Sequence, residues 1–91
     1  MLPVRWSDKA LDDLEEIVGY IEQRNFLAAQ RLRELVEGVA ERLPDHPFLY
    51  RRGRVPETRE AVVHPNYIVV YRVGDRAIDI VAVVHARQQY P

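Results

Sequence analysis

The side chains able to do chemistry crowd into the second half of the chain. Arg51, Arg52 and Arg54 form a basic run, Arg59 and Glu60 follow on what reads as a strand, and His85, Arg87 and Tyr90 lie near the end. A metal-independent ribonuclease needs a base for the 2′-hydroxyl, an acid for the leaving 5′ oxygen and cations around the phosphorus. Glu60 or His85 as base, Tyr90 as acid, and Arg59 with Arg87 as phosphate cations would supply those groups. Arg51, Arg52, Arg54, Arg59 and Arg87 could instead grip a protein target, because the guanidinium fork holds a carboxylate as well as a phosphate. Each residue also has a plainer reading. Arg59-Glu60 can equally be an exposed ion pair of small worth. The Arg51–Arg54 run can be a solvated loop, and His85 a strand-end histidine bonded to backbone.

Other chemistries are excluded by what the chain lacks. It has no cysteine, and its three histidines (His46, His64, His85) show no short ligand spacing, so no metal site is expected. The four glycines are isolated and Ser7 is the only serine, so phosphate-cradling loops and a serine nucleophile are absent, and no cofactor is expected. Tyr67 and Tyr71 are four apart on a strand and share a face, where packing is the simpler role than base stacking.

Elements must position these groups. Leu2–Trp6 reads as a short strand, and Ser7 as the N-cap of an amphipathic helix over roughly residues 8–23. Gly19 inside that helix suggests close packing. Asn25 caps a second helix that Pro44 ends, and so short a link makes the two an antiparallel hairpin. Pro44–Pro56, with three prolines and the basic run, reads as a loop. Thr58–Val63, Tyr67–Val73 and Ala77–Val84 read as strands joined by tight turns, the last of them central and buried on both faces. The expected fold is α+β, β-α-α-β-β-β, with the helical hairpin on one face of a small antiparallel sheet and the arginine loop and tail on the other.

At 91 residues, 47% apolar and 30% charged, the chain reads as one small globular domain over residues 1–91. No apolar run approaches the roughly 18 residues of a spanning helix, and the start lacks an extended apolar leader, so a cytoplasmic protein with no membrane contact is expected. The net charge of −1 is an average of unlike halves. Residues 1–45 hold six basic and ten acidic side chains; residues 46–91 hold seven arginines and four acidic side chains. A general nucleic-acid coat is thereby excluded, but a local anion site in the second half is not.

The order of short motifs resembles the RelE/ParE family of toxins from type II toxin–antitoxin systems. The pieces are Arg5-Trp6-Ser7 with Ala10, Asp13-Leu14, Ile17 and Tyr20-Ile21; Asn25 with Ala28-Ala29; Gly53-Arg54-Val55-Pro56; Thr58-Arg59-Glu60; Tyr67 through Val73; and Val84 through Gln89. The resemblance implies a growth inhibitor neutralised by a small antitoxin, whose segments cover the toxin with an amphipathic helix and sometimes a strand. It also implies one of two targets: DNA gyrase for ParE-like members, or mRNA on the ribosome for RelE-like endoribonucleases. RelE-like members commonly carry an arginine directly after the first aromatic of the second meander strand. Here Ile68 stands there, within Tyr67-Ile68-Val69-Val70-Tyr71, which favours the ParE-like reading. Arg87 and Tyr90 still match the arginine and tyrosine near the end of RelE-like enzymes. A second departure is Glu57, where close relatives often have glycine.

Overall fold

The computed structural model describes residues 1–90. Its elements are β1 (Val4–Trp6), α1 (Asp8–Glu22), α2 (Phe26–Arg42), β2 (Arg51–Arg52), β3 (Thr58–His64), β4 (Tyr67–Val73) and β5 (Ile78–His85). The strands form one sheet in the order β1-β5-β4-β3-β2. The meander β3-β4-β5 is antiparallel as expected. Two features differ from the expectation. β1 runs parallel to β5, so the sheet is mixed, and the basic run contributes a two-residue edge strand rather than loop alone.

Both helices begin as their sequences dictate. The Ser7 hydroxyl accepts the Ala10 N–H at 3.0 Å, and the Asn25 side chain accepts the Ala28 N–H at 3.0 Å, each satisfying a donor the helix itself leaves open. Ala10, Leu14 and Val18 of α1 and Ala29, Leu32, Val36 and Val39 of α2 form stripes that pack on Ala61, Val69, Tyr71, Ile78, Ile80 and Val83 of the sheet. Gly19 does not make the close contact its presence suggests: a Cβ there would meet open space.

β5 outruns its short neighbour β1, and α1 closes the exposed edge. Ser7 Oγ donates to the Val81 carbonyl at 3.2 Å, and the Asp13 carboxylate accepts the Val83 N–H at 3.0 Å. These bonds occupy strand groups that would otherwise offer a template to another chain. Val81 is the extra residue of a bulge, since Val70 pairs with Ala82 and Tyr71 with Ile80. The bulge interrupts alternation, so Val81 and Ala82 both belong to the second face. β5 is central and buried on both sides, as its apolar run predicts.

The second face carries a smaller apolar cluster of Ile68, Val70, Ala82 and Val84. The chain's own end covers it: Ala86 and Tyr90 pack there. Tyr67 and Tyr71 share the helix face, as their spacing predicts, and both serve packing. The Tyr71 hydroxyl donates to the Pro47 carbonyl at 2.8 Å and its ring meets Tyr50 edge-on at 6.3 Å, which ties the proline-rich loop to the core. Burial raises the Tyr71 pKa, against the opposing effect of nearby Arg59.

Candidate functional site

β2 lies against β3 in two rungs, Arg51 opposite Glu60 and Arg52 opposite Arg59. Residues directly opposite share a face. The rungs therefore send their side chains to opposite sides of the sheet.

The first rung is neutralised. Glu60 is only 3% exposed, and its Oε1 meets Arg51 Nη2 at 2.8 Å and Arg51 Nε at 3.0 Å. Its Oε2 accepts the Arg54 N–H at 3.4 Å and lies 3.7 Å from Arg54 Nε. A buried carboxylate requires this pairing. Arg54 continues outward: its guanidinium lies 4.5 Å from the Tyr90 ring centre and donates to the Gln88 carbonyl at 3.1 Å. Tyr90 is thus clamped between Arg54 and the apolar second face. Its hydroxyl is buried and finds no hydrogen-bond partner among the described residues.

The second rung is not neutralised. Arg59 Nη1 donates to the Phe48 and Tyr50 carbonyls at 3.2 and 2.8 Å, and its guanidinium lies 5.0 Å from the Phe48 ring centre. Arg52 is exposed. Neither arginine meets a carboxylate among the described residues. Both line an open cleft of about 780 Å³ at the end of the sheet, with Phe48, Glu57, Arg72 and Asp75.

The turn between these rungs is strained. Thr58 N–H and Oγ1 both donate to the Val55 carbonyl, at 3.1 and 2.6 Å, so Val55-Pro56-Glu57-Thr58 closes as a turn with proline second. Its third position needs a left-handed backbone, and Glu57 supplies it at φ 70°. This explains why glycine suits the position. Gly53 fits for a different reason: a Cβ there would run into the Thr58 side chain.

The expected catalytic set divides. Glu60 and Tyr90 come together through Arg54. Arg59 turns to the other face, so the plainer reading of Arg59-Glu60 as an exposed ion pair does not hold either; adjacent strand residues point apart. His85 belongs with Arg59's face, its ring edge-on to Tyr67 at 5.4 Å, and its Nδ1 accepts the Arg87 N–H at 3.1 Å. That is the plain strand-end role. The Arg87 side chain is exposed. Phe48 and Arg72, which line the cleft, had no signal of their own beyond an aromatic between prolines and an arginine ending a strand. Among the described residues no cluster of three metal-ligating side chains occurs, and no helix is long and apolar enough to cross a membrane.

Comparison with known proteins addresses what kind of molecule this is. The family described as ParE toxin of type II toxin-antitoxin system, parDE, matches residues 4–90. The chain belongs to the ParE toxin family. Among similar sequences, toxin RelE2 of Caulobacter vibrioides is 40% identical over 88 residues, spanning 94% of this chain and 97% of that one. The candidate toxin Y4kP of Sinorhizobium fredii is 38% identical over 89 residues, spanning 97% and 92%. The fold of this ParE-family toxin is that of the chromosomal ParDE system from P. aeruginosa, with a TM-score of 0.81 at 19% identity over 93% of this chain and 96% of that one. The Staphylococcus aureus YoeB dimer shares it at a TM-score of 0.67 and 14% identity, covering 98% of each chain.

Proposed function

We propose that this toxin arrests growth by binding a protein target, DNA gyrase, and performs no RNA cleavage. The observation that carries this reading is the second face of the sheet. Where RelE-like members carry a phosphate-binding arginine, Ile68 is 2% exposed and packs with Val70, Ala82 and Val84. The acid that cleavage would use, Tyr90, has its hydroxyl buried. Of the two candidate bases, Glu60 is already committed to two guanidinium groups, and His85 Nδ1 accepts the Arg87 N–H. Transition-state stabilisation of a phosphorane needs free cations aimed at the developing charge, and an apolar patch under a closed aromatic offers none.

A cognate antitoxin is the second partner. Solved relatives of this fold include the DinJ–YafQ toxin–antitoxin complex of E. coli and the ParDE system of P. aeruginosa. A groove between β1 and the helical hairpin has an apolar floor of Val4, Trp6, Leu11, Leu14 and Ala40 and a charged rim of Glu15, Arg33, Glu37 and Glu41, which suits an amphipathic segment.

The test adds purified toxin to gyrase and plasmid DNA. Loss of supercoiling or a trapped cleavage complex is expected, reversed by antitoxin. Full supercoiling at micromolar toxin would remove the gyrase reading. The exposed Arg87 side chain, which matches the arginine near the end of RelE-like enzymes, favours the ribosome-dependent endoribonuclease as the alternative, and toeprinting on translating ribosomes decides it: mRNA cut in the A site would establish that reading.

A further inference from the structure

We propose that the cleft beside the Arg52–Arg59 rung is a docking site for a short acidic–apolar peptide segment, a partner carboxylate lying between the two guanidinium groups. The starting observation is an imbalance. Arg52 and Arg59 stand directly opposite on paired strands, and like charges so placed repel. The neighbouring rung shows how the fold neutralises an arginine when no ligand is meant: Glu60 meets both Arg51 and Arg54. The Arg52–Arg59 rung lacks such a carboxylate among the described residues.

Arg59 is held ready. Two carbonyl acceptors and the Phe48 ring fix its guanidinium through Nη1 and one face, leaving Nε and Nη2 for a ligand. A pre-positioned fork loses little freedom on binding. Arg52 opposite it is the second donor. Phe48, 63% exposed, stands beside Arg59, with Val55, Pro56 and Val73 in the wall. Large apolar side chains at a charged cleft call for an apolar group next to the anion.

The charges around the rung choose between peptide and nucleic acid. Glu57 and Asp75 line the same cleft. They would repel successive phosphates of a continuous backbone, which binds by neutralising many charges at once. A peptide places one carboxylate at the arginines and neutral or basic groups beyond, so it meets no such penalty. The proposal takes the protein nature of the partner from the function proposed above.

The experiment is an NMR titration of the whole purified toxin, with no gyrase present. The probes are the capped hexapeptide Gly-Leu-Glu-Phe-Gly-Gly, the same peptide with glutamine for glutamate, and an oligothymidine. The glutamate peptide is expected to shift the Arg52 and Arg59 Nε–H signals and the Gly53 and Thr58 amides saturably. Binding should weaken at least about tenfold with the glutamine peptide and with Arg52→Gln, since both remove charge-assisted hydrogen bonds. Arg52 is exposed and makes no side-chain hydrogen bond among the described residues, so the variant folds; relief of the repulsion should raise its Tm at low salt. Absence of saturable shifts, equal binding of the glutamine peptide, or tighter binding of oligothymidine would each overturn the proposal. A failed titration leaves the gyrase reading standing, and an inert toxin in the gyrase assay leaves the cleft to be decided by the titration.

Discussion

The helical hairpin and the meander use charge in opposite ways. In the hairpin the Arg33–Glu15 ion pair sits at the surface, where water competes with it, and only Asp13, paired with Lys9, also bonds the sheet through the Val83 N–H. In the meander Glu60 is buried, and two arginines reach in from β2 and the following turn to neutralise it. Hairpin charge chiefly solvates a surface; meander charge builds the structure. The acidic first half is therefore scaffold, while the arginine-rich second half divides again, into a rung consumed by the fold and a rung left for a partner.

Breaking the buried pair should cost most. Glu60→Ala leaves Arg51 and Arg54 without their carboxylate and the β2 edge without its anchor. Because both arginines can turn to water, the loss is about 2–3 kcal/mol rather than the full cost of a stranded buried charge. Urea unfolding measures it, and a loss below 0.5 kcal/mol would place Glu60 with the surface pairs of the hairpin.

The strained turn sharpens the same contrast in the opposite direction. Glu57 holds φ 70° where a side chain is penalised, so Glu57→Gly should stabilise by about 1 kcal/mol. It would also take one carboxylate out of the cleft. In the hairpin, Gly19→Ala should stabilise by about 0.5–1 kcal/mol, because a Cβ there meets open space and the helix gains propensity. Thermal unfolding of each variant checks both signs.

The smallest effect is the acid response of the surface pairs. The hydrogen bond from Arg33 lowers the Glu15 pKa, and the hydrogen bond from Arg5, with its charge and that of Arg72, lowers that of Asp79. A depressed carboxylate pKa gives stability that is present above the unfolded value and is lost as pH falls through the folded one. Stability should therefore decline below about pH 4. Arg33→Ala should make that decline shallower, by a small margin because the pair is exposed. Chemical unfolding between neutral pH and pH 3 measures the slope.

Much of this was legible in the residues. Ser7 and Asn25 announced the helix starts, the apolar stripes announced the hairpin, and the tight turns announced the meander. The direction of β1 was not legible, because three residues show no preference for parallel or antiparallel pairing. Nor was the β2 strand, since Arg51-Arg52 has no apolar face, and its pairing is closed by the Val55–Thr58 turn and by Glu60 opposite Arg51. For the site, residue types pointed to the right half of the chain but not to the grouping. Arg59 and Glu60 are neighbours in sequence and separate in space because a strand alternates its faces. Arg54 and Tyr90 are remote in sequence and stack because the tail folds back over the apolar second face.

Tyr90→Phe separates target binding from RNA cleavage with a single atom, because it removes the hydroxyl oxygen and leaves the ring. Growth arrest on expression should be undiminished and still neutralised by antitoxin, and the fold at least as stable, since the lost hydroxyl is buried without a partner among the described residues. Loss of growth arrest by a folded Tyr90→Phe protein would contradict target binding without cleavage, and would make that hydroxyl a working acid.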